Sequence, residues 1–151
     1  MDWEFEVDKQ TTENTYRTVE YGAARACGCN YCQNYLLQQE FIYPSEVINF
    51  FETVGIDYHK DSDASEFGEI ENRMHIYITI FHFVGKIVSG KSSAVPLPGG
   101  GCQLALTPIN DTARIGFHAG RSLAFFPKDI PLVQVEFEAH LPWLLNVDLK
   151  M

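Results

Sequence analysis

The chain has 151 residues, 46% of them hydrophobic and 13% aromatic, with 11 basic against 20 acidic residues and a formal charge of −9. A chain of this length and apolar content buries roughly two-thirds of its unfolded surface, which argues against disorder as its main state. No basic face is on offer for a phosphate backbone, no apolar run approaches the ~20 residues of a membrane span, and the acidic start Met1-Asp2-Trp3-Glu4 lacks a signal-peptide pattern, so the expectation is a cytoplasmic protein that binds neither nucleic acid nor membrane.

Residues 3–8 alternate Trp3, Phe5 and Val7 with Glu4, Glu6 and Asp8, the period of a half-buried strand. Residues 9–15 are polar and read as a turn. Tyr16 to Tyr21 is aromatic and β-branched enough for a second strand, which gives an N-terminal hairpin. Residues 31–42 read as a helix, with Cys32, Tyr35, Leu36 and Gln39 at helical spacing. Pro44 ends it and Ser45 starts another, with Val47, Ile48, Phe51 and Val54 as its buried stripe and Gly55 as its C-terminal cap.

Residues 57–71 are acidic and read as a solvated loop; Asp61-Ser62-Asp63-Ala64-Ser65-Glu66 lacks the glycine that a calcium loop places at its sixth position. Met74 to Val84 is the clearest strand. Met74, Ile76, Ile78, Ile80, His82 and Val84 share one face and Tyr77, Phe81 and Phe83 the other, so a central strand covered on both sides is expected. Residues 89–101, with Gly99-Gly100-Gly101, read as a loop. Strands are expected at 102–107, 113–118 and 122–126, with turns at Pro108–Asp111 and Ala119–Arg121. Leu132 to Leu141 is expected to close the sheet, with Val133, Val135, Phe137, Ala139 and Leu141 inward and Gln134, Glu136, Glu138 and His140 outward. The sum is a single α+β domain over 1–151, a mostly antiparallel sheet with two helices inserted after the N-terminal hairpin.

Several motifs are to be discounted. Gly85-Lys86-Ile87-Val88-Ser89-Gly90-Lys91-Ser92 matches the phosphate-loop pattern, but that chemistry needs a helix straight after the lysine, and Pro96-Leu97-Pro98 follows instead. There is no G-x-S-x-G elbow, and His59, His75, His82, His118 and His140 stand apart in sequence. His82, on an apolar strand face, reads first as a core histidine hydrogen-bonded to backbone.

The four cysteines are Cys27, Cys29, Cys32 and Cys102. In a reducing compartment structural disulfides are not the default. Three thiols within six residues, ahead of a helix, can converge on a zinc ion, with Cys102 as the fourth ligand or His82 or water in its place. Cys29-Asn30-Tyr31-Cys32 is also a C-x-x-C at a helix start, the setting of a thiol-disulfide oxidoreductase. Reduced thiols that only pack are the third reading, and with them an acidic, immunity-like protein that binds a basic partner without metal.

The chain also resembles an uncharacterised family of small bacterial proteins. The likeness rests on Cys27-x-Cys29-x-x-Cys32-x-Asn34, Gly55-Ile56-Asp57, Phe81-His82-Phe83-Val84-Gly85 and Gln134-Val135-Glu136-Phe137 with Leu141-Pro142-Trp143. That resemblance implies a bacterial, cytoplasmic, single-domain protein and carries no activity. The expected function is a binding or interaction module with a zinc–thiolate site at Cys27, Cys29, Cys32 and Cys102.

Overall fold

A computed structural model describes residues 2–120 and 125–145. The fold is α+β, with a mostly antiparallel sheet, but its N-terminus is not a hairpin. Strand β1 (Glu4–Val7) pairs with the distant β3 (Met74–Ser89), Phe5 opposite Ile87 and Val7 opposite Gly85. Lys9–Thr18, expected as a turn and the start of a strand, is helix α1. Asp8 caps it, accepting from the Thr11 amide at 3.1 Å and the Thr11 hydroxyl at 2.7 Å. Its buried residues, Thr12 and Tyr16, are one helical turn apart and the rest of the helix is polar. A stripe that narrow leaves almost no apolar periodicity, and the β-propensity of Tyr16-Arg17-Thr18-Val19 misleads because packing decides it.

Helices α2 (Ala23–Cys27), α3 (Asn30–Ile42) and α4 (Ser45–Val54) follow, so the described residues hold four α-helices where two were expected. The last two match the expected spans closely. In α4, Val47, Phe51 and Val54 are buried, and Gly55 takes the left-handed cap at φ 91°. An added Cβ there would come within 2.8 Å of the Lys9 carbonyl, because the first turn of α1 crosses this point.

The acidic stretch expected as loop holds a strand, β2 (Asp63–Glu69), paired with β3 from Asp63–Ile80 to Glu69–His75. Its pattern is blurred by a register shift between Glu66 and Glu69, so the period-2 signal is lost. β4 (Ala94–Pro96) and β5 (Cys102–Leu104) form a small separate hairpin inside the expected loop and strand. Thr107–Asn110, expected partly as a turn, is β6, and β7 runs from Ala113 through Gly120. The strand expected at 122–126 falls largely on 121–124, outside the described residues; Phe125 and Phe126 lie in a bend. β8 (Leu132–Pro142) does not close the sheet but runs down its middle, giving the order β1-β3-β8-β7-β6 with β2 on the same edge of β3 as β1.

The faces of β3 and β8 fall as their alternation dictates. On one face Tyr77, Thr79, Phe81 and Phe83 join Val133, Val135, Phe137, Ile115 and Phe117, all at most 2% exposed. α3 and α4 cover this face with Tyr35, Tyr43, Val47 and Phe51. Each such side chain stabilises the fold by about 1.5–3 kcal/mol on burial. The buried hydroxyls are satisfied in a chain, Tyr35 to Tyr43 at 2.7 Å and Tyr43 to Thr79 at 3.1 Å.

The second face is only half covered. Ile76, Ile78 and Ile80 are half-buried. Further along, the segment carrying β4 and β5 folds over Glu136 and His118. The Ser93 amide donates to the Phe117 carbonyl at 2.8 Å, and the Ser93 hydroxyl donates to Glu136 Oε1 at 2.9 Å, the oxygen that also faces His118 Nδ1 at 2.5 Å. Glu136 points outward as expected, yet this cover leaves it 3% exposed.

Candidate metal centre

The cysteine segment is a tight joint between two short-range fixtures. Cys27 is the last residue of α2. Gly28 takes the left-handed conformation at φ 70°, and Cys29 is the N-cap of α3. A left-handed residue between two helix ends reverses the chain, which sets Cys27 beside Cys29, and the first turn of α3 brings Cys32 round to both. The Gln33 side-chain amide donates back to the Gly28 carbonyl at 2.6 Å and ties the joint.

Both helices are pinned to the sheet. Asp61, fully buried, accepts from the Ala23 amide through its carbonyl at 2.9 Å and from the Ala24 amide through Oδ2 at 3.1 Å. Gly22 is required there, since an added Cβ would lie 2.4 Å from Asp61 Oδ1 and 2.6 Å from the Asp61 nitrogen. Burial raises the Asp61 carboxyl above its ordinary range, against the pull of the Ala24 amide, and Oδ1 has no hydrogen-bond partner. On α3, Asn34 donates to the Pro142 carbonyl at 3.1 Å and accepts from the Leu144 amide at 2.7 Å, and Gln38 donates to the same Pro142 carbonyl at 2.9 Å. The Tyr77 hydroxyl donates to the Tyr31 carbonyl at 2.8 Å, between Cys29 and Cys32 in the chain.

Within this frame the sulfurs of Cys27, Cys29 and Cys32 all lie within 4.8 Å of one another, near enough to coordinate one metal ion. A tetrahedral zinc with bonds of about 2.3 Å sets its sulfurs about 3.8 Å apart, so small side-chain rotations suffice. Cys27 and Cys29 are exposed and Cys32 is buried. Burial on its own would raise the Cys29 thiol, but the Cys32 amide, the Cys27 and Cys32 thiols and the Tyr31 amide together bring it below its usual value. The Cys32 amide lies 3.5 Å from that sulfur. Cys32 goes the other way, pushed well up by burial and by its thiol proton being held against Cys29 and Cys27. The cluster therefore sets a Cys29 thiol that ionises more readily than usual beside a Cys32 thiol that burial keeps protonated, three soft sulfur donors turned toward one another for a thiophilic cation.

Of the four cysteines proposed as ligands, the structure brings these three together. Cys102 is exposed in β5, paired through Pro96 with β4, on the segment over the sheet's second face; α3 packs on the first. His82 also belongs to the second face. It is 3% exposed, with Nδ1 3.3 Å from the Ser62 hydroxyl and Nε2 3.1 Å from Gln134 Oε1, and burial lowers its pKa. Neither is in the group formed by the three sulfurs. His82 is thus a buried, hydrogen-bonded histidine as its strand face suggested, but side chains hold its ring where backbone partners were expected. Past Gly90 the phosphate-loop match leads into β4.

Sequence reasoning missed Gly28, Asp61 and Tyr77 as supports of the site. Asp61 acts on residues 37 positions away, and no local pattern reports such a contact. Gly28 had a readable signal, a glycine directly before a helix start and after a short helix-forming stretch. Comparison with protein-family models, curated proteins and solved structures finds no match to this chain.

Proposed function

We propose that the protein is a small binding module whose Cys27, Cys29 and Cys32 thiolates hold a zinc ion, in a bacterial cytoplasmic setting. The observation that carries this is the convergence of three sulfurs within 4.8 Å on a joint fixed from both sides. Three thiols that only packed would not need two of their number at the surface. Cysteine sulfur is a soft donor and suits zinc. The fourth place is taken by water or by a ligand from outside the group, so the site is open rather than closed. The reading fits the absence, among the described residues, of any helix long and apolar enough to cross a membrane, and the acidic balance of the chain, which favours a cationic ligand.

Zinc titration of the reduced protein, followed by calorimetry in two buffers of different ionisation enthalpy, tests it. Binding should release thiol protons as the three sulfurs become metal-bound thiolates, and affinity should fall steeply on acidification. Cys32→Ser should weaken zinc binding by at least 100-fold on the order of magnitude expected for a lost ligand. Equal affinity in the two proteins would contradict the reading.

A further inference from the structure

We propose that Cys29 and Cys32 are an oxidation site that governs the metal: a disulfide between them opens the trithiolate cluster and releases the ion. The proposal rests on the metal reading for its release step and on the geometry of α3 for the rest. Cys29 is exposed at the N-cap and Cys32 is buried in the first turn beneath it, their sulfurs within 4.8 Å. The Cys32 amide points at Cys29 Sγ, 3.5 Å away, and a helix-start amide supports charge on that sulfur. Of this pair an oxidant from solvent therefore meets Cys29 before Cys32. Cys32, shielded from solvent but beside it, is placed to resolve what forms there. Side-chain rotation closes the gap, because the backbone already places both residues on one turn. Cys27 stands on the other helix, separated by the left-handed Gly28, and is the thiol left over.

With a peroxide as oxidant the step balances. Cys29 sulfur attacks one peroxide oxygen, the O–O bond breaks, Cys29 becomes a sulfenic acid and the other oxygen leaves as water after taking a proton. Cys32 sulfur then attacks Cys29 sulfur; the S–S bond forms, the S–O bond breaks and a second water leaves. Two electrons pass from the sulfurs to the peroxide. Where both sulfurs begin as metal-bound thiolates, two protons come from solvent and two metal–sulfur bonds are lost. A lone Cys27 does not hold zinc, so the ion leaves. In this account the metal site and the C-x-x-C dithiol are two states of one centre.

The test uses the full chain, with Cys102→Ser in parallel to exclude cross-links through that exposed thiol. Metal-free reduced protein is treated with hydrogen peroxide, alkylated, and its disulfides mapped by mass spectrometry. A Cys29–Cys32 disulfide is expected, with Cys27 alkylated and full reversal by dithiothreitol. Zinc-loaded protein is then oxidised with a chromophoric chelator present, and one ion should appear per disulfide formed. Oxidation that stops at a sulfinic acid on Cys29 with Cys32 free, a disulfide that uses Cys27, or zinc retained after the Cys29–Cys32 disulfide has formed would each overturn the proposal. The metal-free arm separates the two claims. A reduced protein that takes up no zinc defeats the proposed function and the release step together, and the mapping still decides whether Cys29 and Cys32 pair.

Discussion

The Tyr16 hydroxyl bridges the backbone of His82, donating to its carbonyl at 3.0 Å and accepting from its amide at 3.2 Å. It fills a gap in the pairing of β3. On this edge β2 starts opposite Ile80, at Asp63, and β1 finishes opposite Gly85, at Val7. Between them the groups of Val84 are taken by α1 and its cap: the Thr12 hydroxyl accepts from the Val84 amide at 2.9 Å, and the Asp8 amide donates to the Val84 carbonyl at 2.8 Å. Helix α1 thus serves as the missing piece of strand, through one turn of side chains. Tyr16→Phe keeps the ring and removes the bridge, leaving a buried amide and a buried carbonyl without a partner. The expected cost is about 2–6 kcal/mol, at about 1–3 kcal/mol for each of the two stranded groups. It should appear as a lower urea midpoint with an unchanged m-value, and a loss below about 0.5 kcal/mol would contradict this role.

Asp61 yields a prediction with a definite sign. Its folded-state pKa is raised by burial, so the folded protein binds that proton more tightly than the unfolded chain. The stability this group supplies is therefore present at low pH and is lost as pH rises from the unfolded value, about 3.9, through the raised folded one. Asp61→Asn keeps an acceptor for the Ala24 amide and removes the buried charge. The variant should match or exceed the parent in stability at pH 7 and hold no advantage at pH 3, measured by denaturant unfolding at both. An advantage that is larger at pH 3 would be the wrong sign.

The β2–β3 connection stores local strain. Asn72 and Arg73 have φ values of 62° and 61°, the two consecutive left-handed residues of a tight hairpin turn, and the Ile70 amide donates to the Met74 carbonyl at 2.7 Å beside them. Asparagine tolerates that conformation and arginine does not. Arg73→Gly should therefore stabilise the protein by about 0.5–1 kcal/mol, the left-handed penalty less the added freedom of the unfolded chain. Thermal unfolding should shift upward by about 2–4 °C per kcal/mol gained. An unchanged or lower midpoint would show that the arginine side chain supports the turn in some other way.

What the sequence made legible follows from where its signals are local. Helices α3 and α4 carry their own stop and start, Pro44 and Gly55, and Val47, Phe51 and Val54 repeat at helical spacing; those elements read true. The faces of β3 and β8 were legible because eleven residues of each pair in an unbroken register. The α1 segment was not, since two buried side chains in ten residues carry too little periodicity against a run of β-formers. Nor was β2, whose register shift hides its alternation. The site divides the same way. Cys27, Cys29 and Cys32 converge through local chain geometry, so their spacing spoke for them. The proposed fourth ligands, Cys102 and His82, required a long-range contact that a single sequence does not encode in any readable pattern, and the fold puts both with the sheet's second face.

The central claim is a metal held by three sulfurs and not by Cys102. Metal content and reactive thiols, measured on one anaerobically purified sample, test it most directly. The account predicts one zinc per chain, with Cys27, Cys29 and Cys32 masked and Cys102 freely alkylated, and three further thiols exposed on chelation. A sample of reduced protein that binds no zinc and reacts at all four cysteines would contradict it, as would a zinc that masks Cys102.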